Sequence, residues 1–135
     1  MFEKQAEIAL KLQRQISLDS KRSLVFSPTS LSLALVMCLE GAHGQTAAQI
    51  STVLAGACPS EEIRTYFTGV TKLLSQPKES FTLESANRIY VNKKFKLKDE
   101  YQKILVDSYG GQFESINFGD LSQAAQVIVF KLIFY

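Results

Sequence analysis

The chain has 135 residues, of which 46% are hydrophobic and 21% are charged. This composition is typical of a globular domain with one hydrophobic core, and it excludes a largely disordered chain. Fifteen basic and thirteen acidic residues give a formal net charge of +2. That charge is too small to predict a nucleic acid or an anionic membrane as a partner.

The first third of the chain predicts two helices around a short strand. Apolar residues recur at helical spacing from Ala6 to Ile16. Leu24–Phe26 is a short apolar run that indicates a buried strand. Ser27 and Pro28 then form an N-cap and first-turn pair that begins a helix reaching about Leu39. Because this second helix is apolar on nearly every face, we expect protein to surround it at the centre of the fold.

Two further helices are predicted before the middle of the chain. Thr46–Gln49 has the pattern of a capping box, which predicts the start of a third helix. Ser60, followed by two glutamates, predicts the start of a fourth, which Pro77 would end. The apolar positions expected to face the core from this fourth helix are Ile63, Phe67, Val70, Leu73 and Leu74.

The remaining residues predict strands that alternate with helices. Phe81–Val91 has the composition of a strand buried on both faces. Asp99–Gln102 is a second capping-box pattern, and the glycine pair at 110–111 would end the helix that it begins. Phe113–Phe118 alternates as another strand, and Asp120–Gln123 predicts the start of a last helix.

Residues with reactive side chains are few and isolated. Cys38 and Cys58 belong to no CxxC pair or Cys/His cluster, so buried, reduced thiols are favoured. His43 lies in a glycine-flanked turn without a partner for acid–base chemistry, which favours a solvent-facing turn residue over a catalytic one. One histidine and two distant cysteines predict no metal site, and no cofactor motif is present.

Two short patterns resemble functional motifs only superficially. Ser75–Lys78 matches the S-x-x-K pattern of acyl-transfer serines, but Pro77 breaks the helical turn that this chemistry requires. The segment Lys93–Lys98 interleaves four lysines with Phe95 and Leu97, as nucleic-acid-binding segments do. Because Asp99 and Glu100 follow directly, a solvated connection between a strand and a helix is favoured, with no nucleic-acid partner.

Several segments, taken in their order along the chain, closely resemble the serpin family of protease inhibitors. They are Leu24–Leu35, Gly41–Ala42, Thr46–Ile50, and Ala86–Val91 with its continuation to Tyr109 and Phe118. The resemblance extends from about Ala6 to Ile128. It implies an α+β fold that corresponds to the amino-terminal part of a serpin, mostly helices with one inner strand and two strands of the large sheet.

The resemblance also implies a mechanism for the full-length parent. A serine or cysteine protease cleaves a reactive loop, which then inserts as a new strand into the large sheet and traps the protease. Ser27, Pro28 and Ser30 match the family's shutter, the place where sheet strands part. The positions that match its helix-packing signature are Leu35, Gly41, Thr46 and Asn87.

The carboxyl-terminal end departs from the family pattern. Residues 1–128 are expected to form the amino-terminal part of a serpin domain, and 129–135 a divergent apolar tail. Because the reactive loop of serpins lies near their carboxyl terminus, we expect it to be absent from this chain. The chain alone is then expected to be neither an enzyme nor an inhibitor. The alternatives are a non-inhibitory fragment that associates with full-length serpin and an inactive truncated product.

Partners and location follow from the same patterns. The expected partner of the full-length parent is a serine or cysteine protease, and self-association is a further expectation for the chain. The fourth helix carries only Arg64 and Lys72 as cations, so no strong heparin binding is expected. The chain shows no signal-peptide pattern and no apolar stretch of membrane-spanning length. We therefore expect a cytoplasmic protein without a membrane partner, the alternative being extracellular, as for many serpins.

Overall fold

The computed structural model describes residues 1–17, 25–56, 58–76 and 87–133. Six helices and two strands occur within them: α1 (Phe2–Ser17), α2 (Pro28–Gly41), α3 (Gly44–Ala55), α4 (Ser60–Ser75), β1 (Arg88–Asn92), α5 (Asp99–Tyr109), β2 (Gln112–Ile116) and α6 (Leu121–Ile133). The chain divides into two compact units, Met1–Leu73 and Leu74–Tyr135. The predicted α+β fold, mostly helices with two strands in a sheet, is confirmed.

The first unit is helical, and α1, α2 and α3 pack against one another in pairs. The side-chain amide of Gln5 on α1 donates a hydrogen bond to the carbonyl oxygen of Leu54 on α3, at 3.0 Å. Gly56 ends α3 with a positive φ of 65°, and a Cβ at this position would lie 3.1 Å from the Lys4 side chain on α1. Glycine therefore allows both the chain reversal and the close approach of α1.

The buried hydrophobic side chains of the first unit come from α2, α3 and α4. They are Leu33, Val36, Met37, Leu39, Leu54, Ala55, Ile63 and Phe67. Ile63 and Phe67 confirm the predicted apolar face of α4, but Leu73, expected on the same face, is 58% exposed. Tyr66 packs edge-on against Phe67 with ring centroids 5.1 Å apart.

Only one face of α2 is buried, which corrects the expectation that protein surrounds this helix. Leu33 and Val36 have almost no exposed surface, whereas Leu31 is 41% exposed and Leu35 is partly exposed. Cys38 lies on the same exposed stripe, so the expectation of a buried thiol is wrong for this residue. The physical reason is that the described residues cover α2 on one side only.

The predicted strand at Leu24–Phe26 is not found in its described part. Leu24 lies outside the described residues, and Val25, which is 97% exposed, belongs to no strand. A strand is held by hydrogen bonds to a neighbouring strand. The sheet formed by the described residues contains only β1 and β2, so this segment has no partner there.

In the second unit, β1 and β2 form a parallel pair joined by α5. The register runs from Arg88 opposite Gln112 to Asn92 opposite Ile116. A parallel pair cannot be joined by a hairpin and requires a crossover, which α5 provides. The described strands confirm the carboxyl end of the first predicted strand and most of the second. Residues 81–86 of the prediction lie outside the described residues.

The two capping patterns of the second unit have different outcomes. Asp120 caps α6 as predicted, because its Oδ1 accepts a hydrogen bond from the Gln123 amide at 3.0 Å. Asp99 is instead the first residue of α5, so it cannot act as the N-cap, a position that Lys98 occupies without a side-chain bond. Gly110, with φ of 62°, ends α5 in the left-handed conformation as its predicted stop.

Candidate functional site

The amino terminus of α2 carries the three residues that match the serpin shutter. Ser27 is the N-cap, and its Oγ accepts a hydrogen bond from the Ser30 amide at 3.2 Å. The Ser30 hydroxyl donates to the same oxygen at 3.0 Å. Pro28 occupies the first turn, where its missing amide hydrogen costs nothing. The structure therefore brings Ser27, Pro28 and Ser30 together in one helix start.

The chemistry of this serine pair follows from its bonds and exposure. Both hydroxyls are exposed, and the Ser27 oxygen accepts two hydrogen bonds, which leaves its own hydrogen available for another acceptor. His43 is exposed at the start of α3 and makes no side-chain capping bond, which agrees with a turn residue. The pair is therefore a local cap with capacity for one more partner.

Leu35 and Gly41 lie on α2, at its middle and at its end. Leu35 is partly exposed on the same stripe as Leu31. Gly41 is the last helical residue, and the next amide, that of Ala42, bonds the Leu39 carbonyl at 3.1 Å. The helix predicted to reach about Leu39 therefore extends two residues further, to Gly41.

Thr46 does not act as the predicted cap. Helix α3 begins at Gly44, two residues earlier, and His43 is its N-cap. Thr46 is thus already inside the helix and is exposed. A capping side chain must precede the first turn to reach the free amides, so the prediction that α3 begins with a capping box at Thr46 is wrong.

Asn87 lies in the second unit, immediately before β1. Its side-chain amide donates to the carbonyl oxygen of Tyr109, the last residue of α5, at 3.4 Å. Its main-chain oxygen accepts from the Gln112 amide at 2.9 Å. Asn87 therefore joins the start of the parallel strand pair to the end of the crossover helix.

An ion pair that the sequence did not reveal connects α4 to the end of α2. Arg64 contacts Glu40 through two nitrogens, with Nε 2.9 Å from Oε1 and a terminal nitrogen 2.5 Å from Oε2. The Glu40 side chain is 7% exposed and that of Arg64 is 37% exposed. Two parallel bonds to a buried carboxylate form a strong, directional contact. The sequence signal that could have indicated this pair is Glu40, an acidic residue at the end of the otherwise apolar helix α2.

Ser32 is the second position that sequence reasoning missed. It lies on the buried face of α2 with no exposed surface, and its Oγ has no hydrogen-bond partner. Buried hydroxyls are normally paired, so this one carries an unsatisfied desolvation cost. Ser32 lies four residues after Pro28 and four before Val36, and nothing in this spacing distinguishes it from other helical positions.

No group of three or more potential metal ligands lies close together in the described part of the chain. No helix within residues 1–17, 25–56, 58–76 and 87–133 is both long and apolar enough to cross a membrane.

These features place the chain in a class of helix-rich α+β domains that have a capped, apolar second helix and a parallel strand pair with a helical crossover. Residues 3–129 match the family "Serpin (serine protease inhibitor)". The chain belongs to the serpin family, as the resemblance implied.

Individual relatives agree with this assignment. The chain is 30% identical to Serpin A3-7 of Bos taurus over 126 residues, which are 90% of this chain and 30% of that protein. It is also 30% identical to Alpha-1-antiproteinase of Rattus norvegicus, over 91% of this chain and 31% of that protein. Human thyroxine-binding globulin complexed with its hormone superposes with a TM-score of 0.86 at 28% identity, covering 93% of this chain and 35% of that one.

The extent of these matches differs between the two partners in each comparison. Nearly all of this chain is matched, whereas the chain spans about a third of the length of the curated relatives. A reactive-loop-cleaved form of human thyroxine-binding globulin is also similar, with a TM-score of 0.83.

Proposed function

We propose that this chain is the amino-terminal third of a serpin that, in its full-length form, inhibits serine or cysteine endopeptidases by trapping them through a reactive loop. The observation that carries the proposal is the continuous family match over residues 3–129. Alpha-1-antiproteinase, one of the similar proteins, bears the name of an inhibitor. For the 135-residue chain alone we propose no inhibition and no enzymatic activity.

The sheet supports this separation between the chain and its parent. Loop insertion adds a strand to a large sheet whose strands part. The described residues contribute β1 and β2, joined by five residue pairs in parallel register. The trapping step therefore requires strands beyond this pair, supplied by the remainder of a serpin domain.

Within this proposal, Ser27 and Ser30 serve as part of the shutter. The Ser27 hydroxyl hydrogen is available for an acceptor on a moving strand while its oxygen holds the helix start. A hydroxyl that can exchange partners suits a place where strands separate. Leu35, Gly41, Thr46 and Asn87 remain predicted packing positions.

A second candidate function is a non-inhibitory fragment that associates with full-length serpin. The observation that favours it is the exposed stripe of Leu31, Leu35 and Cys38 on α2. Apolar surface of this kind is often covered by another protein. The candidate therefore treats the chain itself as the binding component.

The test compares the chain with the product of the complete transcript that encodes it. The transcript is first sequenced beyond the Ile128 codon, to find whether it encodes the remainder of a serpin domain. Each protein is then incubated with a panel of serine and cysteine proteases and analysed on denaturing gels. We expect a stable covalent complex from the longer protein and none from the chain.

Three outcomes decide between the candidates. A denaturation-resistant complex formed by the 135-residue chain would contradict the proposal for the chain. A longer protein that every protease either ignores or cleaves as an ordinary substrate would contradict inhibition by the parent. Co-elution of the chain with the longer protein would support the interaction fragment.

A further inference from the structure

A groove of about 300 Å³ lies within the second unit, on one face of the parallel strand pair. Val91 on β1 and Ser115 on β2 are register partners, and Phe113 lies two residues before Ser115. Side chains two residues apart on a strand point to the same face, and paired residues of parallel strands do so as well. These three residues therefore form a floor that is mostly apolar.

The wall of the groove is the connection between β1 and α5, which local hydrogen bonds hold in place. The Asn92 side chain accepts from the Lys94 amide at 3.0 Å, and its main-chain oxygen accepts from the Phe95 amide at 2.8 Å. Further along, the Gln102 side chain donates to the Leu97 carbonyl at 3.1 Å. Bonds at both ends give this connection a defined shape.

The wall exposes two apolar side chains, those of Phe95 and Leu97, to solvent. Phe95 lines the groove and is 70% exposed, and Leu97 beside it is partly exposed. An aromatic ring exposed next to an apolar floor leaves surface that a ligand could remove from water. The apolar part of the groove is therefore incompletely covered by the protein.

The charge of the groove has one sign. Lys93 and Lys96 both line it, both are exposed, and no acidic residue is among the lining residues. Neither ammonium group has an ion-pair or hydrogen-bond partner in the described part of the chain. The groove thus combines two unpaired cations with an apolar floor.

We propose that this groove binds small amphiphilic anions, in which a carboxylate contacts Lys93 and Lys96 and an alkyl or aryl body lies over Val91, Phe95 and Phe113. Its volume is at the lower end of small-molecule sites, which suits a single short chain or ring. The proposal is independent of protease inhibition, because no residue of the shutter lines the groove.

The test is a titration of the ¹⁵N-labelled 135-residue chain with sodium decanoate below its micellar concentration. We expect saturable shifts of amide resonances at Lys93, Lys96 and Phe113. Decyltrimethylammonium has the same alkyl chain and the opposite charge, and acetate has the carboxylate without the chain. Both are expected to bind far more weakly than decanoate.

Matched lysine variants separate the groove from general surface charge. Lys93→Gln combined with Lys96→Gln should weaken decanoate binding about fivefold, the effect of losing two exposed charge contacts. Lys103→Gln removes an exposed lysine of α5 that does not line the groove, and it should leave the affinity unchanged. Amide spectra without ligand check that each variant keeps the fold.

Three results would overturn the proposal. One is equal affinity of the double variant and the parent, and another is an equal loss in the Lys103→Gln control. The third is binding by the short chain that disappears in the longer transcript product, because the rest of the protein would then occupy the groove.

Discussion

The two faces of α2 have similar residues and opposite surroundings. Leu33 is 1% exposed and Leu31, two positions earlier in the same helix, is 41% exposed. Residue type determines how much burial stabilises a side chain, whereas the neighbouring elements determine which side chains are buried. In the described residues those neighbours cover one face, so the same apolar composition forms a core on one side and an exposed stripe on the other.

The largest expected effect is a leucine truncation on the buried face. Leu33→Ala should lower the free energy of unfolding by about 3 kcal/mol, because it removes packed methyl groups and leaves a cavity. Leu31→Ala, the matched control on the exposed stripe, should lower it by less than about 1 kcal/mol. Urea unfolding followed by circular dichroism measures both values. Equal losses would show that the two faces are equally buried in solution.

The ion pair at the end of α2 provides the second test. Arg64→Ala should cost about 2 to 3 kcal/mol, because Glu40 keeps its buried carboxylate without the two guanidinium bonds. Adding Glu40→Gln should recover part of this loss, since a neutral amide is less costly to bury. The double variant unfolding at a lower urea concentration than Arg64→Ala would contradict this account.

Alanine substitutions of Ser27, the N-cap of α2, and of Ser32 within α2 should change the free energy of unfolding in opposite directions. Ser32→Ala is expected to stabilise the chain by about 1 kcal/mol, because it removes a buried hydroxyl that has no partner. Ser27→Ala should destabilise it by a similar amount, because it removes the N-cap. Thermal unfolding of both variants against the parent distinguishes the signs. A destabilised Ser32→Ala chain would mean that the hydroxyl is paired in solution.

The smallest effect concerns an exposed carboxylate, in contrast to the buried Glu40. Hydrogen bonds from Lys11 and Lys4 lower the pKa of Glu7 from 4.5 to about 2. A lowered pKa means that the pairs support α1 above pH 4.5 and lose this contribution as the pH falls towards 2. Glu7→Gln should abolish this small acid-dependent change in helicity without altering stability much at pH 7. An identical acid transition in both proteins would contradict the assignment.

Periodic patterns in the sequence predicted the presence of the helices and strands more accurately than the residues at which they begin and end. The helices at Pro28, Ser60 and Asp120 and the glycine stop at Gly110 follow from chemistry within a few residues of each end. The box at Thr46 failed because α3 already begins at Gly44, with His43 as its N-cap, and the φ of 58° at Gly44 is one that glycine adopts without strain. Local capping patterns therefore identify that a helix is present, whereas the conformation of the preceding turn determines its first residue.

The candidate site was predictable only in its local parts. Ser27 and Ser30 are three residues apart, so their contact at a helix start follows from spacing. The Arg64–Glu40 contact joins residues 24 positions apart in sequence and depends on how α2 and α4 pack. The exposure of Cys38 likewise depends on which face of α2 has neighbours. Contacts of this kind follow from tertiary packing, which a single sequence does not specify.

The parallel pairing of β1 and β2 also leads us to expect an order for the folding of the second unit. Arg88 and Gln112 are 24 positions apart, so closing the pair as a free loop costs chain entropy before any ladder bond forms. A helix forms within about 1 μs. Once formed, α5 brings the ends of the two strands closer together than a free loop of the same length would. We expect α5, stopped at Gly110, to form first and the strands to pair afterwards. If α5 forms first, the left-handed turn at Gly110 should affect the rate of folding as well as the final structure.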